Sequence, residues 1–433
     1  MIRWILKGML RDKSRSLFPF LVVAVGVALT VGLLGFMDGV FMGMIDMTAK
    51  LDTGHIRFVN KPFYEEEHLL PMDRALAGQK KTLAWLREHG DPRIQWSPRI
   101  RWGAIMDIPD EEGNTLSQTP VIGMAVQLLD PQSPERKRLQ LEQSVIKGKI
   151  PSRSKQILVG YQLAETLKLT IGDTATLMGQ TFDGGLATDN YTVSGFIRFG
   201  VAAMDKKMVL IDLGDAQQTF YMENMVTDWL GFLPRSVAYG DYEKIKQRIE
   251  QGLAALIKNP PEDWASDDEP IVLSILDQRN LGEIIKKFEL IRGIIVMIFS
   301  FLMVLVLWNA GLINGIHRYG EMGLRLAMGE THKALMASLA LEAFAVGLAG
   351  AMAGCLVGGT VVYFLQEVGV DMGDAMAQSG LMVNDVVRGR LSVEGFIRGI
   401  VPGMTASVAG SLIASLAIFQ RSEANLFREL ETG

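Results

Sequence analysis

"GIIVMIFSFLMVLVLWNAGLINGI" (293–316) runs for 24 residues without a charge, and "RYGEMGLRLAMG" (318–329) follows it almost at once. About 20 apolar residues rising ~1.5 Å each cross a hydrocarbon layer of ~30 Å, so the first stretch predicts a membrane span. The second predicts a short charged connection to another span. Three further charge-free runs have the needed length: Leu17–Met37 (21 residues), Ala343–Gln366 (24) and Gly399–Gln420 (22). One such run can be a buried core helix; four predict a membrane protein. The composition agrees, with 48% apolar residues, 24 Met and a mean hydropathy of +0.20.

The first run is too long for the apolar part of a cleaved leader, and no small-residue cleavage pattern follows it. Val40, Met44 and Met47 continue at helical spacing, which predicts an uncleaved helix that projects past the bilayer. Basic residues set the orientation. Arg3, Lys7, Arg11, Lys13 and Arg15 precede the first span against a single acid, Asp12, placing the N-terminus in the cytoplasm. Four crossings then put 38–292 outside, 317–333 inside, 367–398 outside and the C-terminus inside. The 317–333 loop is mildly basic and the 367–398 loop mildly acidic, as that order requires.

The large external segment reads as a folded α+β domain, expected in two lobes. Strand-like runs (His55–Val59, Ile100–Ile108, Pro120–Val126, Gln156–Val159, Tyr191–Phe199, Lys207–Ile211) alternate with helix-like ones (Lys80–Glu88, Tyr161–Leu167, Tyr242–Ile257). About 235 residues are enough to bury a core of their own. Cys355, the one cysteine, lies in the third span and reads as a small packing residue.

Enzymatic readings find little support. His55, His68, His89, His317 and His332 form no zinc-binding pair, and neither GxSxG nor a GxxxxGK[ST] phosphate loop occurs. The acidic triplets at 65–67 and 267–269 read as solvated surface. A net charge of −5 and the membrane context argue against nucleic-acid binding. The chain is therefore expected to be non-catalytic and to bind no cofactor itself, with any energy coming from a partner.

Within the spans, Gly35, Gly39 and Gly43 fall four apart, as do Gly350, Gly354 and Gly358. Such faces let helices approach closely, either to pack one bundle or to line a dimer seam or lateral opening. Glu342 is expected near the cytoplasmic headgroups, where it can pair with a basic residue of the preceding loop and support it.

The segment "RYGEMGLRLAMGETHKALMASLALEAFAVGLAGAMAGCLVGG" (318–359) resembles ABC transporter permeases of the FtsX/MacB/LolC–LolE superfamily. There an Arg-x-x-Glu-[Ile/Met]-Gly-x-x-[Arg]-Ala-[Leu/Met]-Gly pattern leads into the second-last span. The stretches 145–180 and 191–200 are similar to the external domain of that superfamily, and one span, a large domain and three spans match its topology. The resemblance implies that 317–333 is a cytoplasmic coupling helix seated in a separate ATPase. Arg318, Glu321, Met322, Gly323, Arg325, Ala327, Met328 and Gly329 would carry the coupling. It implies a dimer of ABC ATPases that hold ATP and Mg, a second permease copy or paralogue, and a bacterial inner-membrane location with the domain in the periplasm. The expected work is extraction or export of a lipoprotein or other amphiphilic cargo; the alternative is FtsX-like relay of ATPase motion to a periplasmic cell-wall hydrolase. LolC carries a Pro-bearing hook where this chain has "GQTFDGGLATDN" (179–190), so a plain hairpin is expected here.

The expected organisation is an interfacial elbow helix (1–16), first span and stalk (17–52), periplasmic domain (53–276), stalk and second span (277–316) and coupling helix (317–333). A third span (334–366), periplasmic loop (367–398), fourth span (399–420) and cytoplasmic tail (421–433) complete it.

Overall fold

The structure, a computed structural model, describes residues 13–110, 112–234, 237, 239–258, 268–317, 319–371 and 386–419. Most of the expected elbow helix, Arg318, much of the 367–398 loop and the 421–433 tail lie outside the described residues. The chain divides into two compact units: a helical unit (1–42, 284–370, 387–433) and an α/β unit (43–283, 371–386).

Helix α1 (Lys13–Thr48) opens the chain and ends in a π-helical turn, Ala49–Thr53. Gly54 stops it at φ +64, a left-handed angle that costs a glycine nothing. The α/β unit then lays down β1 (Ile56–Asn60), α2 (Gln79–His89), β2 (Gln95–Pro109) and β3 (Thr115–Val126). Next come β4 (Val145–Gly148), β5 (Gln156–Gly160), β6 (Thr174–Gln180), β7 (Leu186–Ile197) and β8 (Met208–Asp212). β9 (Asp228–Phe232), α3 (Tyr242–Lys258) and β10 (Pro270–Ser274) close the unit.

These strands make one ten-stranded sheet in the order β10-β1-β9-β2-β3-β8-β5-β7-β4, with β6 joined to β2 and β7. The two lobes expected from sequence are thus two parts of one continuous sheet. Long β2 joins them: its first residues, Gln95–Arg99, pair with β9, and Ile100–Pro109 pair with β3. Strand alternation supplies a core on each face. Ile157, Val159, Val209 and Ile211 enter one cluster, while Leu158, Leu210, Met124 and Val126 enter another that Met47 and Leu51 join. The 179–190 stretch is a plain hairpin: β6 and β7 pair antiparallel and Gly184, at φ +82, turns the connection.

His55 sits just before β1 against Phe232 and Tyr242, and its Nδ1 accepts a hydrogen bond from the Leu233 N–H at 3.0 Å. Burial, and then the charge of Arg138, push this imidazole down to about 4. The folded form therefore binds a proton less readily than the unfolded chain, whose imidazole titrates near ~6.5. Stability from this group is complete above that pH and is lost as pH falls towards 4, by about 3 kcal/mol. Thermal melts between pH 7 and pH 4 should show this slope, and His55→Asn, which keeps an acceptor for Leu233, should flatten it. An unchanged slope would remove His55 as its source.

The helical unit holds most of α1, α4 (Leu281–His317), α5 (Tyr319–Ala327), α6 (His332–Val368) and α7 (Val393–Phe419). α1, α4, α6 and α7 are long and apolar enough to cross a membrane. At 37 residues, α4 and α6 are each about 55 Å long, well beyond a hydrocarbon layer. Val23, Val27 and Val31 of α1, Met303 and Leu307 of α4, Ala351 of α6 and Ala406 of α7 form the shared core.

Candidate functional site

The expected coupling segment folds as α5 and two caps. Among the described residues of α5, Met322 alone is buried, at 6% exposure, whereas Leu324 is 63% exposed and Met328, just past its end, 72%. Gly320, Gly323 and Ala327 are also exposed, and no atom lies within 4 Å of where a Cβ would stand on Gly320 or Gly323. Arg325 reaches back one turn to Glu321 at 3.4 Å. A Schellman motif ends the helix: Gly329 donates to Leu326 O at 3.0 Å and Glu330 to Arg325 O at 3.1 Å, with Gly329 at φ +92. The Thr331 hydroxyl then caps α6 by accepting from the Ala334 N–H at 3.3 Å. The sequence "MGET" thus stops one helix and starts the next, leaving α5 with an open outer face of apolar, glycine and charged residues.

The glycines of α6 do bring helices together. A Cβ on Gly350 would lie 2.9 Å from Phe20 O, one on Gly354 2.4 Å from Ala24 O, and one on Gly358 2.7 Å from Ala28 O. On α1, Gly35 meets Val362 of α6, and Gly39 meets the Arg388 carbonyl, where a Cβ would stand only 1.9 Å away. Gly43, grouped with them by spacing, meets nothing within 4 Å and belongs to the α/β unit. The six glycines are therefore not one surface. Glu342 lines a cavity beside Met322, described below.

Two clusters of charge went unread in the sequence. The first ties together α1, α4 and α7. Arg292 contacts Asp38 at 3.1 Å and Glu289 at 3.3 Å, Arg398 contacts Glu289 at 3.4 Å and also Glu394, and the Ser392 hydroxyl donates to Asp38 at 3.1 Å. Arg292 and Asp38 are 8% and 9% exposed. A signal was available: Asp38, Arg292 and Arg398 are the charges that bound three of the apolar runs on the side predicted to be external.

The second cluster lies inside the α/β unit. Arg57 of β1 donates through Nε to Asp228 at 2.5 Å and through Nη1 to Glu67 at 2.9 Å and Gln278 at 3.0 Å. Arg101 of β2 holds the other Asp228 oxygen at 3.0 Å, Asp52 of the π-helical turn at 2.7 Å and Glu67 at 2.7 Å. Arg279, just before α4, takes the second Asp52 oxygen at 3.0 Å. Three guanidinium groups thus meet three carboxylates, and Asp52 joins the turn ending α1 to the residues leading into α4. Burial works against charge on Arg101, yet Asp228, Asp52 and Glu67 hold it above its ordinary value. Burial also opposes ionisation of Asp228, but Arg101 and then Arg57 pull its carboxyl down to about 2. Nearby, fully buried Arg99 donates to Glu135 at 2.9 Å and to the Lys50 carbonyl at 2.7 Å. The hint was Arg99 and Arg101 at alternate places beside the apolar residues Ile100 and Trp102.

These arrangements hold segments together. Among the described residues no group of three or more His, Cys, Asp or Glu is placed to hold a metal ion.

Two family models match the chain. One, the FtsX-like permease C-terminal, covers residues 293–422, and the other, the MacB-like periplasmic core domain, covers 17–247. No curated protein matches it. Among solved structures, the periplasmic region of MacB from Actinobacillus actinomycetemcomitans is similar at 9% identity with a TM-score of 0.33. That match covers 54% of this chain and 92% of the other.

Proposed function

Because this chain belongs to the family of FtsX-like ABC-transporter permeases with a MacB-like periplasmic core domain, we propose that it is the membrane subunit of an assembly powered by a separate ATPase. One observation carries the reading. α5 is a capped helix between two long apolar helices, and its outward face exposes Leu324 and Met328 beside glycines that would admit a partner's close approach. Apolar side chains exposed outside the spans mark an interaction surface. The basic N-terminal stretch supports a cytoplasmic location for that face and an inner-membrane, periplasm-facing location for the α/β unit. ATP and Mg would then be bound by the partner.

Within this reading, α5 receives the ATPase stroke. The clusters around Asp38–Arg292 and Asp52–Arg101–Arg279 hold the ends of α1 and α4 in register. The work done is removal of a lipoprotein or other amphiphile from the outer leaflet, by two permease copies or by this chain with a paralogue. The plain 179–190 hairpin offers no Pro-bearing hook for a periplasmic chaperone. Affinity purification of the full-length chain from native membranes, with mass spectrometry of protein and lipid, tests the reading. An ABC ATPase together with a lipidated or lipid-like molecule is expected. An ATPase with a periplasmic hydrolase and no lipid cargo would favour the relay function, and absence of any ATPase would refute both.

A further inference from the structure

A cavity of about 120 Å³ lies within the helical unit. Every span contributes to its wall: Pro19 from α1, Gly311 from α4, Glu342 from α6 and Ser407 and Ser411 from α7, and Met322 enters it from α5. We propose that Met322 is the positioning residue through which α5 passes its movement to all four spans, with the cavity providing the space in which it moves. The proposal rests on the reading that the outer face of α5 docks an ATPase.

Three observations support it. Met322 is the buried side chain of a helix whose described neighbours are largely exposed, so a force on α5 reaches the bundle at this point. Methionine is unbranched, with three rotatable bonds, and can refill an irregular space after a shift where a β-branched side chain could not. Close-packed interiors resist gradual deformation, so a mobile side chain needs a void beside it. This one, partly open, has room for several waters. Its wall is partly polar: Glu342 and Ser411 line it, and the Ser407 hydroxyl is held by the Ala343 carbonyl at 2.8 Å. Such a wall suits water that can be displaced and return.

The test uses the full-length chain with its co-purified ATPase in nanodiscs, comparing hydrolysis by the complex with hydrolysis by the released ATPase. Met322→Ala removes the seated side chain, and Ser411→Leu fills the space. Both should keep the ATPase at wild-type stoichiometry while shrinking the permease's effect on hydrolysis about fivefold or more. Leu324→Glu, on the outer face, should instead lose the ATPase. A Met322→Cys, Ser411→Cys pair in a Cys355→Ser background should accept a short cleavable cross-linker with or without the ATPase. Loss of the ATPase from Met322→Ala, wild-type coupling in both single variants, or failure of the pair to link overturns the proposal. If the wild-type chain recovers no ATPase, the docking reading falls and the proposal with it. Failure to link while the ATPase is bound overturns the seat alone.

Discussion

Asp228→Asn should destabilise the α/β unit by about 3–5 kcal/mol, because it removes one partner of a buried ion network and strands the others. Asp228 is fully buried and bonds both Arg57 and Arg101, themselves 0% and 5% exposed. An asparagine can accept from one of them, but it leaves three guanidinium groups against two carboxylates, and buried Arg57 and Arg101, unlike half-exposed Arg279, have little water to solvate the excess charge. The loss should appear as a lower melting temperature for the detergent-solubilised chain, read by the fluorescence of fully buried Trp229. Glu243→Gln, at a half-exposed position in the first turn of α3 and outside the network, is the control. The carboxyl's pKa is depressed to about 2, so its stabilising effect is complete above its ordinary range and lost as pH falls through about 2. A variant melting with wild type would show that the network is not what holds β1, β2 and β9 together.

Gly354→Val should separate α1 from α6. The first added carbon would stand 2.4 Å from the Ala24 carbonyl oxygen and 2.9 Å from the Val27 Cβ, and backbone cannot swing aside as a side-chain tip can. Overpacking of this kind costs about 1–3 kcal/mol, and at a helix pair built on small residues the upper end is expected. Size-exclusion profiles and protease resistance in mild detergent should both deteriorate. Gly32→Ala, in the same α1 but with nothing within 4 Å, should behave as wild type. Equal behaviour of the two variants would mean that the close approach is not needed.

Much of this architecture was legible because apolar runs and strand alternation are local signals. Gln156–Val159 and Lys207–Ile211 read directly as strands, being short apolar runs with punctuated ends. β6, β9 and β10 did not: "TATLMGQ" and "DWLGF" carry a glycine, "PIVLS" opens on proline, and pairing partners supply what local preference lacks. The segment expected to couple stood out by its glycines and charges, but which side of α5 faced inward was not legible. A nine-residue helix gives too few turns to fix a face without knowing the bundle it packs on. The charge network was hidden for another reason. Arg57 and Asp228 are 171 residues apart, and an arginine in a strand ordinarily reads as an exposed side chain.

The central claim is that the outer face of α5 is where the energy of ATP hydrolysis enters. Its most direct measurement is the stoichiometry of ATPase recovered with full-length Leu324→Glu from native membranes, beside wild type. The charge on a 63% exposed leucine should abolish recovery while yield in the membrane fraction and the α/β unit's melting temperature stay at wild-type values. Undiminished ATPase in the Leu324→Glu preparation would contradict the account.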